Sequence, residues 1–388
     1  MYRKSYALVN KNILEENIRE IKKKYPNYEY YMGVVKNNAY HHGIEVIDSL
    51  IKGGINYLAV SSLEEALDIR AINKDIPVLI LEPIPIIYID IVLKNNITLT
   101  VESLSYTKEL VSKENLKKLK VHLKLDTGMN RLGFKRVDEL QEAYILLKDK
   151  VFIEGIYTHF ATSGRGDIFY KKQLDKLKEF LDSIDVLEIP IRHFDRSITM
   201  VSHEKIKESN GVRLGIIMYG FSQSVKVNTE GIKNKLRLWK RKMYIKNGFM
   251  MEYTTINDLN LKPAYSLYST ILAVRPVSKD EFVGYNASFK VLEDGYIASI
   301  AIGYADGVTK DFKKVVIDGR ELDIVSDSMD MIMVFSKNKL EVGSKVEIIG
   351  ENRTIREVTR DIKMNSYHLF NQISSRVPII YEEDENEK

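Results

Sequence analysis

The 388-residue chain has no cysteine. That excludes disulfides and thiolate metal sites, and no metal centre is expected. Proline is sparse, at eight residues. Three of these, Pro77, Pro83 and Pro85, interrupt the longest apolar stretch (residues 76–93), which also carries Glu82 and Asp90. Such a stretch predicts a strand, a loop and a buried helix rather than a membrane span. Neither sign of charge dominates: 58 Lys and Arg against 54 Asp and Glu leave +4, too balanced to imply nucleic-acid binding. No signal-type apolar core follows Met1-Tyr2-Arg3-Lys4, so a cytoplasmic protein is expected.

What is present is an ordinary globular composition, 44% apolar, in a length that suits a large barrel plus a smaller domain. From about residue 10 to 220, short apolar runs (31–35, 57–60, 78–81, 97–101, 121–125, 152–158) alternate with charged stretches of helical period (11–24, 62–72, 105–118, 137–147, 171–184). Repeated strand–helix order predicts parallel strands with right-handed crossovers. Roughly eight such units over about 230 residues suit a (β/α)8 TIM-like barrel. From about residue 264 the texture changes to strands (266–274, 297–302, 315–318, 331–334, 345–349) separated by turns such as Asp294-Gly295 and Asp318-Gly319. The expected organisation is an α/β barrel over 1–225, a basic insertion over 226–262, a mostly β domain over 263–381 and an acidic tail over 382–388. The insertion holds the only tryptophan, Trp239, among several Lys and Arg. A stretch of this kind reads as a solvated surface face more readily than as a nucleic-acid contact.

Lys36 ends the apolar run Met32-Gly33-Val34-Val35 and precedes Asn37-Asn38-Ala39-Tyr40-His41-His42-Gly43. An amine at the end of a buried strand is desolvated, which favours the neutral form that attacks carbonyls. Tyr40 follows four residues on, where it can hold an anion. An amine for an aldehyde plus polar groups for a phosphate are the two parts a pyridoxal phosphate site requires. Further chemistry-bearing residues lie at other strand ends. Lys124, Asp126 and Arg131 surround Gly128, His159 follows 152–158, and Arg213 precedes Gly215.

Together, and in this order, these motifs resemble the alanine racemase family. The resemblance continues through Gly284-Tyr285-Asn286-Ala287, Gly303-Tyr304-Ala305-Asp306-Gly307, Ser328-Met329-Asp330 and Ser374-Ser375-Arg376-Val377-Pro378, from about Tyr6 to Tyr381. It implies a pyridoxal 5'-phosphate enzyme that interconverts L- and D-alanine with two bases, as a homodimer with shared active sites, and supplies D-alanine for peptidoglycan. Position by position, it implies that Lys36 binds the cofactor covalently and is one catalytic base, while Tyr285 is the opposite base, contributed across the dimer. Tyr40, Ser197, Gly215 and Ile216 match the phosphate cradle. Arg213 matches the partner of the pyridine nitrogen, and His159 the residue beneath the ring. Arg131, Met329 and Tyr304 match substrate-side positions. Lys124 matches a lysine that some members carbamylate.

Two departures stand out. Asn37 and His41 replace an alanine and a glycine of the family's usual cofactor motif. Ser375 stands where the family usually has a tyrosine that limits pocket size, which makes serine a second candidate substrate and Ser375 a specificity position. Tyr268 and Tyr367 are the side chains weighed as fillers of that gap. Rival readings are a decarboxylase of similar plan, disfavoured by His159, Arg213 and Tyr285 together, and a non-catalytic cofactor-binding protein, which has no need of the β domain. No nucleic-acid or membrane partner is expected.

Overall fold

The computed structural model describes residues 2–163, 167–221, 239–240, 243 and 259–382. Nearly all of the expected basic insertion, and residues 383–388 of the acidic tail, lie outside the described residues. The chain divides into two compact units, Glu15–Asn37 with Leu50–Leu261, and Met1–Leu14 with Asn38–Ser49 and Lys262–Lys388. Where a contiguous 1–225 unit is expected, the first strand is assigned to the other unit. The cause is pairing: β1 (Tyr6–Asn10) is hydrogen-bonded to strands that come after residue 264.

The first unit is a parallel β/α barrel. Its strands are β2 (Tyr30–Val34), β3 (Tyr57–Val60), β4 (Val78–Ile80), β5 (Leu99–Val101), β6 (Lys120–Leu125), β7 (Phe152–Thr158), β8 (Ile191–His193), β9 (Asp195–Arg196) and β10 (Gly211–Leu214). One run of parallel pairs orders β4-β3-β2-β10-β9 and a second β5-β6-β7-β8. A parallel bridge from Leu79 to Thr98 joins the two runs. At the other junction β8 and β9 are one strand interrupted at Phe194, so eight staves close the barrel. Every residue of β3, β4 and β5 is buried. Strands covered on both faces read as unbroken apolar runs, which is why they are visible in the sequence. The helix Lys11–Lys24 turns Leu14, Ile18 and Ile21 inward at helical spacing.

Differences from the expected elements have local causes. The stretch 105–118 is a helix over Leu104–Val111 and a separate 3-10 turn over Leu116–Lys118, with Asn115 left-handed between them. The helix expected from 171 starts at Ile168, because Asp167 accepts the Phe169 N–H as N-cap.

In the second unit β11 (Tyr265–Val277), β12 (Phe282–Val283), β13 (Phe289–Lys290), β14 (Gly295–Ile300), β15 (Lys314–Ile317), β16 (Arg320–Asp327), β17 (Ile332–Ser336), β18 (Lys345–Ile349) and β19 (Ile379–Glu382) follow in order. Eight strands, including β1, form a sheet ordered β14-β17-β16-β15-β18-β11-β1-β19, with β14 also paired to β11. Asp318 and Gly319 form the expected hairpin turn, both with positive φ (49° and 74°). Asp294-Gly295 is not such a turn: Gly295 already belongs to β14, and Asp294 accepts the Lys279 N–H. Two helices of seven residues, Ile355–Asp361 and Ser366–Gln372, escape the sequence reading because each is too short to show a period.

The segment Lys36–His41 is helical with φ between 51° and 62° at Asn37, Asn38, Ala39, Tyr40 and His41, a left-handed turn of helix. Side chains with a Cβ lose roughly 1–2 kcal/mol per residue in that conformation, and Asn and His tolerate it best. Both departures from the usual motif therefore place residues suited to positive φ. Local bonds hold the turn. Asn38 Oδ1 accepts the Ile44 N–H at 3.0 Å, and Gly43 N donates to Asn38 O at 3.0 Å. His42 Nδ1 lies 3.1 Å from Ala39 O and 2.9 Å from Tyr40 O. Carbonyls only accept, so Nδ1 carries the proton. The ring sits between Tyr265 and Phe370, with centroids 5.2 and 4.9 Å away. Burial pushes its pKa down to about 3.

The unfolded chain therefore takes up this proton first as pH falls, and His42 contributes a loss of stability from about pH 6.5 down toward pH 3. We expect His42→Phe to cost about 1–3 kcal/mol in urea unfolding at pH 7. We also expect it to flatten the pH dependence of stability over that window; equal slopes in the two proteins would contradict the assignment.

Candidate active site

The barrel gathers most of the expected residues at the C-terminal ends of its strands. Lys36 lies just past β2. Arg213 on β10 is in register with Met32 on β2 and with Arg196 on β9. Lys36, Ser197 and Gly215 thus follow the ends of three adjacent parallel strands. Ser197 Oγ accepts the Gly215 N–H at 3.1 Å and donates to Arg213 O at 3.4 Å, tying two of these loops together. Ile216 is buried behind them. Lys36 is half-buried rather than sealed, because burial ends at Val35.

Lys124 near the end of β6 and Arg213 are both buried, at 5% and 4% exposure. They share a neighbour: Lys124 Nζ lies 5.6 Å and the Arg213 guanidinium 5.1 Å from the centre of the Tyr157 ring. Arg131 is exposed on the loop after β6. Asp126 Oδ1 shapes this loop by accepting the N–H groups of Gly128 and Asn130 at 2.9 and 3.0 Å. Phe134 closes it by pairing with Lys124 O and Asp126 N, both at 2.9 Å. Gly133, at φ 126°, makes that closure possible, since a Cβ there would come within 2.7 Å of the Asp126 nitrogen.

The electrostatics are one-sided. Burial lowers the His159 imidazole well below its ordinary value, and Arg196, Arg213, Arg131 and Lys124 all push it further down. Burial also lowers the Lys124 ammonium to about 8, with Arg131 and Arg213 adding to the shift and Glu82 and Glu102 opposing it. Four cationic side chains around a neutral imidazole form a site for anions. A phosphate ester, a phenolate and a substrate carboxylate are such anions, so the donor set fits pyridoxal phosphate carrying an amino acid. Lys36 would bind its aldehyde, Ser197 and the backbone of Gly215 and Ile216 its phosphate, and Arg213 its ring nitrogen.

The remaining expected residues lie in the second unit. Tyr40 is buried, and its ring meets Tyr367 edge-on at 5.7 Å. Tyr285 is 73% exposed, on a strained turn where Gly284, Asn286 and Ala287 all have positive φ. Tyr304 N donates to Ser328 O at 3.1 Å and Ala305 N to Met329 O at 2.9 Å, so the Tyr304 and Met329 loops run side by side. Gly303 permits this approach, since a Cβ there would lie 2.5 Å from Met329 O. Ser375 is exposed in a turn. Tyr268 stands with Tyr6 at 5.7 Å beneath the Lys345 ammonium, so of the two candidate gap-fillers it is Tyr367 that meets Tyr40.

Sequence reasoning missed Glu65. Its carboxylate accepts the Asn37 N–H at 2.6 Å and the Ser61 N–H at 2.7 Å, fixing the chain immediately after Lys36. Ser62 before the helix Leu63–Ile72 signals an N-cap, but nothing in the sequence says that Glu65 reaches across to Asn37. Glu65→Ala is expected to lower stability by about 1–3 kcal/mol and to weaken cofactor retention. Unchanged cofactor affinity by absorbance titration would show that this bond does not position Lys36.

A barrel with a lysine at one strand end and cationic side chains at others, followed by a β domain, fits the class of pyridoxal-phosphate enzymes that act on amino acids. The family model of the alanine racemase N-terminal domain matches residues 9–223, and that of the C-terminal domain residues 264–381. Alanine racemase of Streptococcus gordonii is 35% identical over 391 residues, covering 98% of each chain. The crystal structure of Bacillus anthracis alanine racemase with bound L-Ala-P superposes with a TM-score of 0.86 at 28% identity, covering 99% of this chain and 96% of that one. Histidine racemase of Leuconostoc mesenteroides superposes with a TM-score of 0.82 at 26% identity, covering 98% and 99%. The chain belongs to the alanine racemase family, the pyridoxal-phosphate-dependent isomerases built from a TIM barrel and a β domain.

Proposed function

We propose that this chain racemises alanine, with Lys36 and Tyr285 as the two acid–base groups. The observation that carries the reading is that Lys36, Ser197 and Gly215 follow the ends of three adjacent parallel strands, with Ser197 tied to the Gly215 amide and the Arg213 carbonyl. When bound, pyridoxal phosphate takes up the substrate amino group and withdraws electrons from the Cα–H bond. Lys36 Nζ removes or returns the proton at one face of Cα, and the Tyr285 hydroxyl acts at the other face. Arg213 would meet the ring nitrogen as a donor that keeps its own proton, since a guanidinium stays charged even where burial lowers its pKa to about 10. A donor that does not give up its proton would leave the ring nitrogen unprotonated, which would favour return of the proton to Cα. Tyr40, Ser197 and the Gly215 and Ile216 amides would hold the phosphate. Arg131 and the Met329 backbone orient the substrate carboxylate, and Tyr304 lines the approach.

Tyr285 is an exposed side chain on a strained turn. We place it in the partner's site of a homodimer, so that each site is built from the barrel of one subunit and Tyr285 of the other. The D-alanine product serves peptidoglycan synthesis in the cytoplasm. No described helix is long and apolar enough to cross a membrane.

Lys124, at about 8, supplies neutral amine at neutral pH. A neutral amine adds carbon dioxide, and the resulting carbamate would turn a cation crowded by Arg131 and Arg213 into an anion that pairs with them. We expect a carbamate carbon resonance in 13C NMR of protein equilibrated with 13C-bicarbonate, absent in Lys124→Ala. Identical spectra would rule the modification out.

Alanine is the first substrate, and serine the second because Ser375 is small and exposed. Tyr367 meets Tyr40 edge-on, and an aromatic wall on that side of the cofactor would favour alanine. The test is turnover of L-alanine and L-serine by the cofactor-loaded protein, with Lys36→Ala as control. Alanine should dominate and the control should be inactive. Serine turnover below roughly a hundredth of alanine's would end the broader reading, and no turnover of either would end the racemase reading.

A further inference from the structure

Beneath Arg213 the barrel interior holds an unbroken chain of side-chain hydrogen bonds that the reaction described above does not use. Arg213 Nη1 lies 2.8 Å from His193 Nδ1. His193 Nε2 lies 2.8 Å from His122 Nδ1. His122 Nε2 lies 3.3 Å from Glu154 Oε2. The Tyr57 and Thr98 hydroxyls donate to the same oxygen at 2.7 and 3.0 Å.

The chain has one permitted direction. A guanidinium has donors and no acceptor. His193 Nδ1 must therefore accept, and neutral His193 carries its proton on Nε2. That proton faces His122 Nδ1, which accepts, so His122 carries its own proton on Nε2 and gives it to Glu154. The carboxylate, an acceptor only, closes the far end. Reversal would set two donors against each other at Arg213.

The surroundings are built for this arrangement. His122 and His193 are fully buried. A register shift between Val121 and His122 sets His122 opposite Gly155 on β7. A Cβ at Gly155 would lie 2.5 Å from the His122 ring. Tyr157 stacks on His193 at 4.6 Å with 16° between the planes, and the Arg213 guanidinium lies 5.1 Å from the centre of the same tyrosine ring. Arg213 Nη2 donates to Thr158 O at 2.5 Å, and Nη1 also donates to His193 O. Among the described residues the Arg213 Nε–H has no protein acceptor, which leaves it for a ligand.

We propose that Glu154, His122 and His193 are positioning residues that fix the orientation and charge of Arg213 toward the ring nitrogen of the cofactor. The proposal rests on the reading of Arg213 given above. The charge states agree with it. Burial pushes the Glu154 carboxyl up, but His122, Tyr57 and Lys120 outweigh burial and hold it at about 2. Burial lowers both imidazoles, His193 well below its ordinary range. The relay is thus one anion, two neutral rings and one cation.

The test is 15N NMR of holoenzyme labelled at its seven histidines, with His122 and His193 assigned by single substitution. Both rings should be neutral Nε2–H tautomers at pH 7. A proton on Nδ1 of either ring, or an imidazolium, would overturn the relay without any variant having to fold. In Glu154→Gln, which keeps the shape and loses the charge, Arg213 still imposes the same tautomers, but the His122 Nε2–H resonance should move and the cofactor's visible absorbance should shift. Its kcat on alanine should fall about ten-fold or more with KM little changed. An unmoved His122 Nε2–H resonance with unchanged kcat would also overturn the proposal. Correct tautomers in a protein that racemises nothing would instead sink the activity reading and leave the relay standing.

Discussion

A guanidinium sealed inside the barrel sets the terms for the rest of the site. Arg213 is almost fully buried, and an isolated ion there is costly. It is retained because two carbonyls, an imidazole nitrogen and a tyrosine face receive it. Its charge then propagates. Burial is the main reason that His159 and His193 stay neutral, and the Arg213 charge adds to it; burial, Arg131 and Arg213 together lower Lys124 to a value at which the amine is partly free. A mouth this cationic favours an anionic cofactor over an empty, hydrated barrel.

The second constraint is conformational. Lys36 begins a left-handed turn of consecutive non-glycine residues, which seldom persists unless the surroundings determine it. Glu65 fixes its start, while Asn38 and His42 fix its end. Chain direction there is set by these polar bonds rather than by apolar packing. The turn that carries Tyr285 is strained in the same sense. Both proposed bases therefore sit on backbone that is costly to form and correspondingly restricted.

Much of the fold was legible because buried parallel strands and amphipathic helices write their period into the sequence. The helices Lys11–Lys24 and Val137–Leu147 and the strand Lys345–Ile349 begin and end where the pattern says. The catalytic candidates were legible as residue types at strand ends and as an ordered set of motifs. The left-handed turn was not, since Asn-Asn-Ala-Tyr-His carries no glycine to announce positive φ. Neither was the relay. His122 and Glu154 lie 32 residues apart, and only the register of β6 on β7 brings them together. A lone buried histidine in a sequence reads as core. The assignment of β1 to the second unit depends on pairing with β11 and β19, which no local pattern encodes.

The central claim is that Lys36 and Tyr285 act on one substrate from different subunits. Co-refolding inactive Lys36→Ala with inactive Tyr285→Phe tests it most directly. If the sites are shared, each mixed dimer contains one site with both substitutions and one with neither. Alanine racemisation should then return to roughly a quarter of the wild-type level, the statistical share of intact sites. A mixture that forms hybrid dimers yet stays as inactive as either parent would show that both groups come from the same chain, and the account of the shared site would be wrong.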